Sequence, residues 1–327
     1  MKRNNTGFTL VELVMVIALL SIIATLAVNR LSGVRADAEK KLDLANLGRI
    51  GSALDAYAIL HPGGLDRLDA PFCCTAPASP PAEGTTDTAF SPVVATNRHG
   101  TNAVLLAATL LDSSAPYPPL FARYSLTPAD AEALRLLGLR FVMLGTDGTA
   151  NLAGDDGAWA QGDPSDPDLC STYARTVTNG LLVAALNPRA AAVRRAPTAN
   201  DDGLSPVGAL AYQSCGQDVR FSKSTATHAI DGIDCTTDAE AFAALRRPGG
   251  GGLLLAFGLG QHATPVGDNR AGLDSAPVCP VARAGEYRRY FLLLRLRTEP
   301  DGTLLAEYAG TMDSRGQTAL HLRSSAK

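Results

Sequence analysis

The reactive side chains of this 327-residue sequence are few and widely spread. Its five histidines, His61, His99, His228, His262 and His321, make no H-E-x-x-H pair for zinc, and no G-x-S-x-G presents a serine nucleophile. The stretch GLGQHA, residues 258–263, has the form of a dinucleotide fingerprint after the apolar run LLLAF. The following TPVGDNRAG cannot open the helix such a site requires, so Gly258 and Gly260 read as turn residues. Asp147, Asp155, Asp156, Asp163, Asp166 and Asp168 crowd one loop with hard oxygen ligands. Their spacing departs from the EF-hand pattern, which makes a solvated acidic loop the stronger reading and calcium at Asp147–Asp168 its alternative. No other cofactor, no catalytic residue and no metal cluster is expected, and the chain reads as a non-enzyme.

Six cysteines, Cys73, Cys74, Cys170, Cys215, Cys235 and Cys279, are all disulfide candidates if the chain lies outside the cytoplasm. No C-x-x-C suggests zinc or redox chemistry. Adjacent Cys73 and Cys74 should each reach a distant partner. Cys215 and Cys235 are the most plausible local pair, and buried thiols are the competing reading. Lys and Arg total 29 against 32 Asp and Glu, a net charge of −3, with no basic stripe; nucleic acid is not an expected partner. With 46% hydrophobic and 19% charged residues the composition is that of a globular fold.

One carboxylate stands out by its surroundings. Glu12 lies in GFTLVELVMVIALLSIIATLAV, where from Phe8 to Val28 only Thr9, Ser21 and Thr25 are otherwise polar. About 20 apolar residues suffice to cross a bilayer as a helix, so residues 8–28 read as a single span. Lys2 and Arg3 in the short preceding segment keep the N-terminus cytoplasmic and send the remainder across. A cleaved secretory signal fits less well, because the apolar run is long and ends without a clean A-x-A site. A plain anchor leaves Glu12 unexplained: an acid at mid-membrane costs about 2.5–3.5 kcal/mol and needs a partner.

The segment KRNNTGFTLVELVMVIALLSIIATLAV resembles the class III signal of type IV pilins and type II secretion pseudopilins: a short basic leader, Gly7, Phe8, then an apolar helix with its fifth residue Glu12. The resemblance covers only the first 55 or so residues. It implies cleavage between Gly7 and Phe8 by a prepilin peptidase, N-methylation of the new Phe8 amine, and assembly of the helices into a filament. Glu12 would then pair with the Phe8 amine of a neighbouring subunit. Two groups that are costly in lipid become tolerable when they meet, and the pairing sets an axial register. The partners implied are the peptidase, further copies of this chain or other pilin-like subunits, and a bacterial inner membrane with the head extracytoplasmic, periplasmic or on a surface filament.

Several elements must carry these residues. Apolar side chains at Leu31, Val34, Ala38, Leu42, Ala45, Ile50, Leu54 and Tyr57 recur three or four apart for the most part. They predict an amphipathic continuation, 29–60, of one helix about 80 Å long, stopped by His61-Pro62-Gly63-Gly64. Residues 61–102 read as a loop-rich stretch, and 102–114 as a short helix. A further helix begins at Thr127 as N-cap, with Pro128 first, Asp130 completing a capping box and Gly138 ending it; a strand follows at Arg140–Leu144. RTVTNGLLVAALNP, GALAYQS, GGLLLAFGLG and a hairpin turning at Glu299-Pro300-Asp301-Gly302 read as strands.

The expected fold is α+β: a long N-terminal helix packed on an antiparallel head sheet with helical and loop inserts. The expected organisation is a leader at 1–7, the 8–28 assembly helix, its continuation at 29–60 and a globular head at 61–327. Two functions compete: a structural filament subunit, and a minor or tip subunit whose head binds a surface or secreted cargo. Head size favours the second, while Glu12 counts against one tip-forming pseudopilin type that lacks the fifth-position Glu.

Overall fold

The hairpin that closes the head forms where the sequence marks it. Glu299-Pro300-Asp301-Gly302 reverses the chain, with the Glu299 amide donating to Thr303 O and the Gly302 amide to Glu299 O. The surrounding architecture comes from a computed structural model that describes residues 10–60, 64–73, 82–87, 94–96, 102–104, 120–145, 174–190, 192–193, 204–222, 227–260, 263–266, 273, 277, 279–280, 289–313 and 315–319.

In chain order the described elements begin with α1 (Leu10–Leu60), β1 (Arg67–Cys73), β2 (Thr86–Asp87), β3 (Val94–Thr96), β4 (Asn102–Val104), β5 (Phe121–Ser125) and α2 (Pro128–Leu136). There follow β6 (Phe141–Gly145), β7 (Ala174–Thr176), β8 (Leu182–Leu186), β9 (Ala192–Val193), β10 (Leu204–Ser205) and α3 (Val207–Ser214). The remainder is β11 (Val219–Ser222), β12 (Thr227–Ile230), β13 (Ile233–Cys235), α4 (Asp238–Arg246), β14 (Leu253–Gly258), β15 (Phe291–Thr298) and β16 (Leu304–Met312). The chain divides into two units, Met1–Leu42 and Asp43–Lys327. The second therefore begins inside α1 rather than after it.

The fold class is α+β, with a curled, antiparallel-rich sheet of nine strands. β14 is its centre. Every residue from Leu253 to Gly258 is buried, as expected for a strand covered on both faces. One edge of β14 pairs along its length with β15; the other is shared between β8 and, at Gly258, β1. The path continues through β5 and β2 on one side and β6 and β7 on the other. The ends of this sheet curl towards each other: α2 lies alongside β16, and Gly316, just past β16, sits against Leu120 at the start of β5. Phe121 and Phe291 stack edge to face at 5.1 Å inside the core.

The structure places strands in the loop-rich 61–102 stretch and corrects three further expectations. Within that stretch β1 runs through the middle of the sheet, with Leu68 fully buried. Its Pro71 argues against a central strand, and the pairing register shifts between Ala70 and Cys73, which accommodates the missing donor. That pairing, β1 with β6, is parallel, so the sheet is antiparallel-rich rather than purely antiparallel. GALAYQS is the helix α3, not a strand: an apolar run of this length satisfies either period, and Val207, Ala211 and Tyr212 fall on one buried helical face. Asn102–Val104 is strand β4, paired with β3, rather than the start of a helix.

The helix caps follow local chemistry. Thr127 and Asp130 form the reciprocal capping box of α2, Pro128 occupies its first turn, and Gly138 at φ 106° ends it. There the Leu139 amide bonds Leu134 O and the Gly138 amide bonds Arg135 O, the 6→1 and 5→2 pattern that satisfies terminal carbonyls. The helix α4 has the same box from Thr237 and Glu240. β12 and β13 turn through Asp231 and Gly232, both at positive φ, the Asp-Gly pair that a tight hairpin demands.

Candidate functional site

The residues singled out for processing and assembly lie at the N-terminus. Gly7 and Phe8 are outside the described residues, and Glu12 falls within α1 with its side chain outside them. What is described there is an apolar surface: Leu10, the run Leu13–Ile17, Leu19 and Leu20 are 47–79% exposed. Ser21 satisfies its hydroxyl within the helix by donating to Ile17 O at 2.8 Å. Among the described residues no helix is long and apolar enough to cross a membrane. So large a run of exposed aliphatic side chains is the mark of a surface meant to be covered.

Within the second unit, α1 supplies the helix that docks on the core. Asp43, Leu47, Ile50, Leu54 and Tyr57 are buried at spacings of four and three, and each fully buried aliphatic contributes about 1.5–3 kcal/mol. The Tyr57 hydroxyl donates to Gly64 O at 2.9 Å and fixes the exit of the helix. Ile50, Leu54 and Tyr57 belong to the stripe read from the sequence. Leu42 and Ala45 belong to it too, but are exposed. The inward phase passes through Asp43, a position that a hydrophobic pattern skips.

Asp43 is held by a polar cluster. Its Oδ1 accepts from the Tyr290 hydroxyl at 2.7 Å and from the Cys279 thiol at 3.8 Å, while Asn46 Nδ2 donates to the Tyr290 oxygen at 3.1 Å. Asp313, which follows β16, touches the Asp43 carboxyl and accepts the amides of Arg315 and Gln317 at 2.8 and 2.7 Å. Burial pushes both carboxyls above the ordinary carboxylate range, and Asp43 adds its charge against Asp313. Helix and head are thus joined by an apolar stripe with one polar rivet.

Two further clusters are structural. Asp130, fully buried, accepts from the Tyr124 hydroxyl, from the Thr127 amide at 2.9 Å and from Arg246 Nη1 at 3.0 Å, with Arg246 stacked 5.0 Å over the Tyr124 ring. Asn187 and Arg189 both reach Asp238, at 3.0 and 3.2 Å, tying β8 to α4. His228 and Cys235 oppose each other across β12 and β13. Burial lowers the imidazole to about 4 and raises the thiol, so both stay neutral and no thiolate–imidazolium pair forms. Among the described residues no three His, Cys, Asp or Glu side chains are placed to hold a metal.

Cys215 and Cys235 are free thiols, so the local pair suggested by their spacing does not form. Each packs elsewhere: Cys215 caps α3 beside Gly310 and Arg295 of the β15–β16 hairpin, whereas Cys235 ends β13 with its sulfur on Ile233 O. Burial raises the Cys215 thiol to about 11. Cys73 lies in β1 with its side chain outside the described residues; Cys74, Cys170 and the whole Asp147–Asp168 loop also lie outside them.

No curated protein and no solved structure matches the chain. The family described as the prokaryotic N-terminal methylation motif matches residues 2–28, the stretch that holds Gly7, Phe8 and Glu12. That match marks a class III prepilin signal, with its prepilin peptidase cleavage and N-methylation, and supports placing this chain in the type IV pilin and pseudopilin superfamily.

Proposed function

We propose that this chain is a structural subunit of a type IV pilus or type II secretion filament that polymerises through its N-terminal helix. The methylation motif at residues 2–28 carries the reading. In it the peptidase removes residues 1–7, Phe8–Val28 waits in the inner membrane as a single span, and one long helix continues through 29–60 into an extracytoplasmic head. The exposed apolar side chains of Leu10, Leu13–Ile17, Leu19 and Leu20 support this, since lipid before assembly and neighbouring helices after it would cover them. Glu12 is the assembly residue: paired with the methylated Phe8 amine of the next subunit, it sets the stagger between helices.

Within the second unit the head is held on the Asp43–Leu60 segment of the helix by the inward residues Leu47, Ile50, Leu54 and Tyr57. The role needs no catalytic group, and the buried, neutral His228 and Cys235 suit a scaffold rather than a reaction centre. A second reading, a minor or tip subunit, is favoured by the size of the head and its small accessory sheets β3–β4, β9–β10 and β11–β13. The test is the Glu12→Val variant expressed in the native filament system. Loss of filaments with a normally folded, membrane-held subunit is expected. Wild-type filament yield would overturn the assembly role of Glu12.

A further inference from the structure

Asp43 on α1 and Asp313 just beyond β16 are each fully buried with their carboxyls in contact. In each, Oδ1 is occupied: by the Tyr290 hydroxyl and the Cys279 thiol on Asp43, and by the Arg315 and Gln317 amides on Asp313. In each, Oδ2 is buried and meets no donor. Ionised carboxylates are acceptors only, so two of them cannot satisfy one another, and two like charges packed together in a dry site cannot both persist. The charged and titratable groups facing the pair are Arg315, from the turn after β16, Tyr290 at the start of β15, and Cys279. Tyr290 and Cys279 act as neutral donors. Arg315 brings one positive charge against two carboxylates, and one proton on the pair makes the cluster neutral.

We infer that Asp43 and Asp313 share a single proton between their Oδ2 atoms, forming a clasp that fastens the Asp43–Leu60 segment of α1 to the head and loosens when the proton is lost. The clasp rests on the buried cluster alone and stands or falls independently of the filament reading. Burial, the first cause for both groups, and the Asp43 charge on Asp313 act to retain the proton well above the range in which an unfolded aspartate loses it. The sign follows. Between the unfolded carboxylate pKa and the upper titration step of the pair, the folded chain binds one proton more than the unfolded chain. Stability from the clasp is therefore fully present at low pH and is lost as pH rises through that step, about tenfold in the folding equilibrium per pH unit.

The experiment compares the full chain in detergent micelles with its Asp313→Asn and Asp43→Asn variants. Either amide keeps an oxygen for the existing donors and supplies an N–H to the opposing carboxylate. Denaturant unfolding from pH 5 to 9 should show each variant gaining on wild type by up to tenfold per pH unit until the pair ionises. His228 cancels from that difference because it is common to all three chains. Infrared spectra of wild type with isotope-labelled aspartate should show a buried protonated carboxyl at neutral pH, absent from either variant. Hydrogen-exchange protection of residues 43–57 in wild type should fall as that band disappears, a readout that needs no variant to fold. The inference is overturned if folded wild type shows no protonated carboxyl, if all three pH profiles run parallel, or if a stoichiometric divalent cation occupies the pair and is removed by a chelator.

Discussion

Replacing Leu47 with alanine, and separately Leu42, asks which face of α1 docks on the head. The two leucines are neighbours on one helix, yet Leu47 is 2% exposed and Leu42 53%. Truncating a buried leucine removes its transfer free energy and leaves a cavity, together about 2–5 kcal/mol. Truncating an exposed one changes stability by roughly 0.5 kcal/mol or less, and alanine is at least as good a helix former. At about 2–4 °C per kcal/mol for a domain of this order, Leu47→Ala should lower the melting temperature by roughly 5–15 °C, and Leu42→Ala by a degree or two at most. Thermal unfolding of the detergent-solubilised chains, followed by near-ultraviolet circular dichroism, reads tertiary packing without interference from the helix signal. Equal small shifts, or a larger loss at Leu42, would refute the docking phase and restore the stripe through Leu42 and Ala45.

Asp130→Ala should cost about 3–5 kcal/mol, since it strands Tyr124, Arg246 and the Thr127 amide together, while Glu132→Ala, whose ion pair to Arg135 is exposed, should be near neutral; denaturant midpoints compare the two. With His228 held near 4 by burial and by Arg189, the unfolded chain binds the extra proton below about pH 6.5. This group should therefore contribute a loss of up to about 3 kcal/mol as pH drops from 6.5 to 4, set against the gain from the Asp43–Asp313 clasp, so His228→Gln should gain on wild type steadily over that range; a difference that does not change with pH would refute it. Gly260→Ala should lower stability by about 1–3 kcal/mol, because a Cβ there would lie 1.7 Å from Asp69 Oδ2; a melting temperature equal to wild type would contradict that close approach.

Much of the fold is written in short-range chemistry. Thr127, Pro128, Asp130 and Gly138 place α2 to within a residue, and the Glu299–Gly302 turn places the final hairpin, because caps and turns depend on neighbours alone. The same signals were present and overlooked at Thr237 with Glu240, which start α4, and at Asp231-Gly232, which turn β12 into β13. Other features depend on distant partners. Pro71 speaks against a central strand, and only the register shift opposite Gly145 reconciles β1 with its place in the sheet. GALAYQS fits either period until its surroundings choose. Asp43 is the clearest case: a charged residue in an inward helical position is intelligible only beside Tyr290 and Asp313, some 250 residues away. The N-terminal motif is the reverse, legible from residue types in a row because a prepilin peptidase signal is a linear one.

A filament role requires that motif to be used. Intact and N-terminal peptide mass spectrometry of the protein from its native membrane, or from sheared filaments, tests it directly. A mature chain beginning at N-methyl-Phe8 is the predicted result. An uncleaved Met1, or a start near Asn29, would contradict it and leave a membrane-anchored or secreted α+β domain in place of a filament subunit.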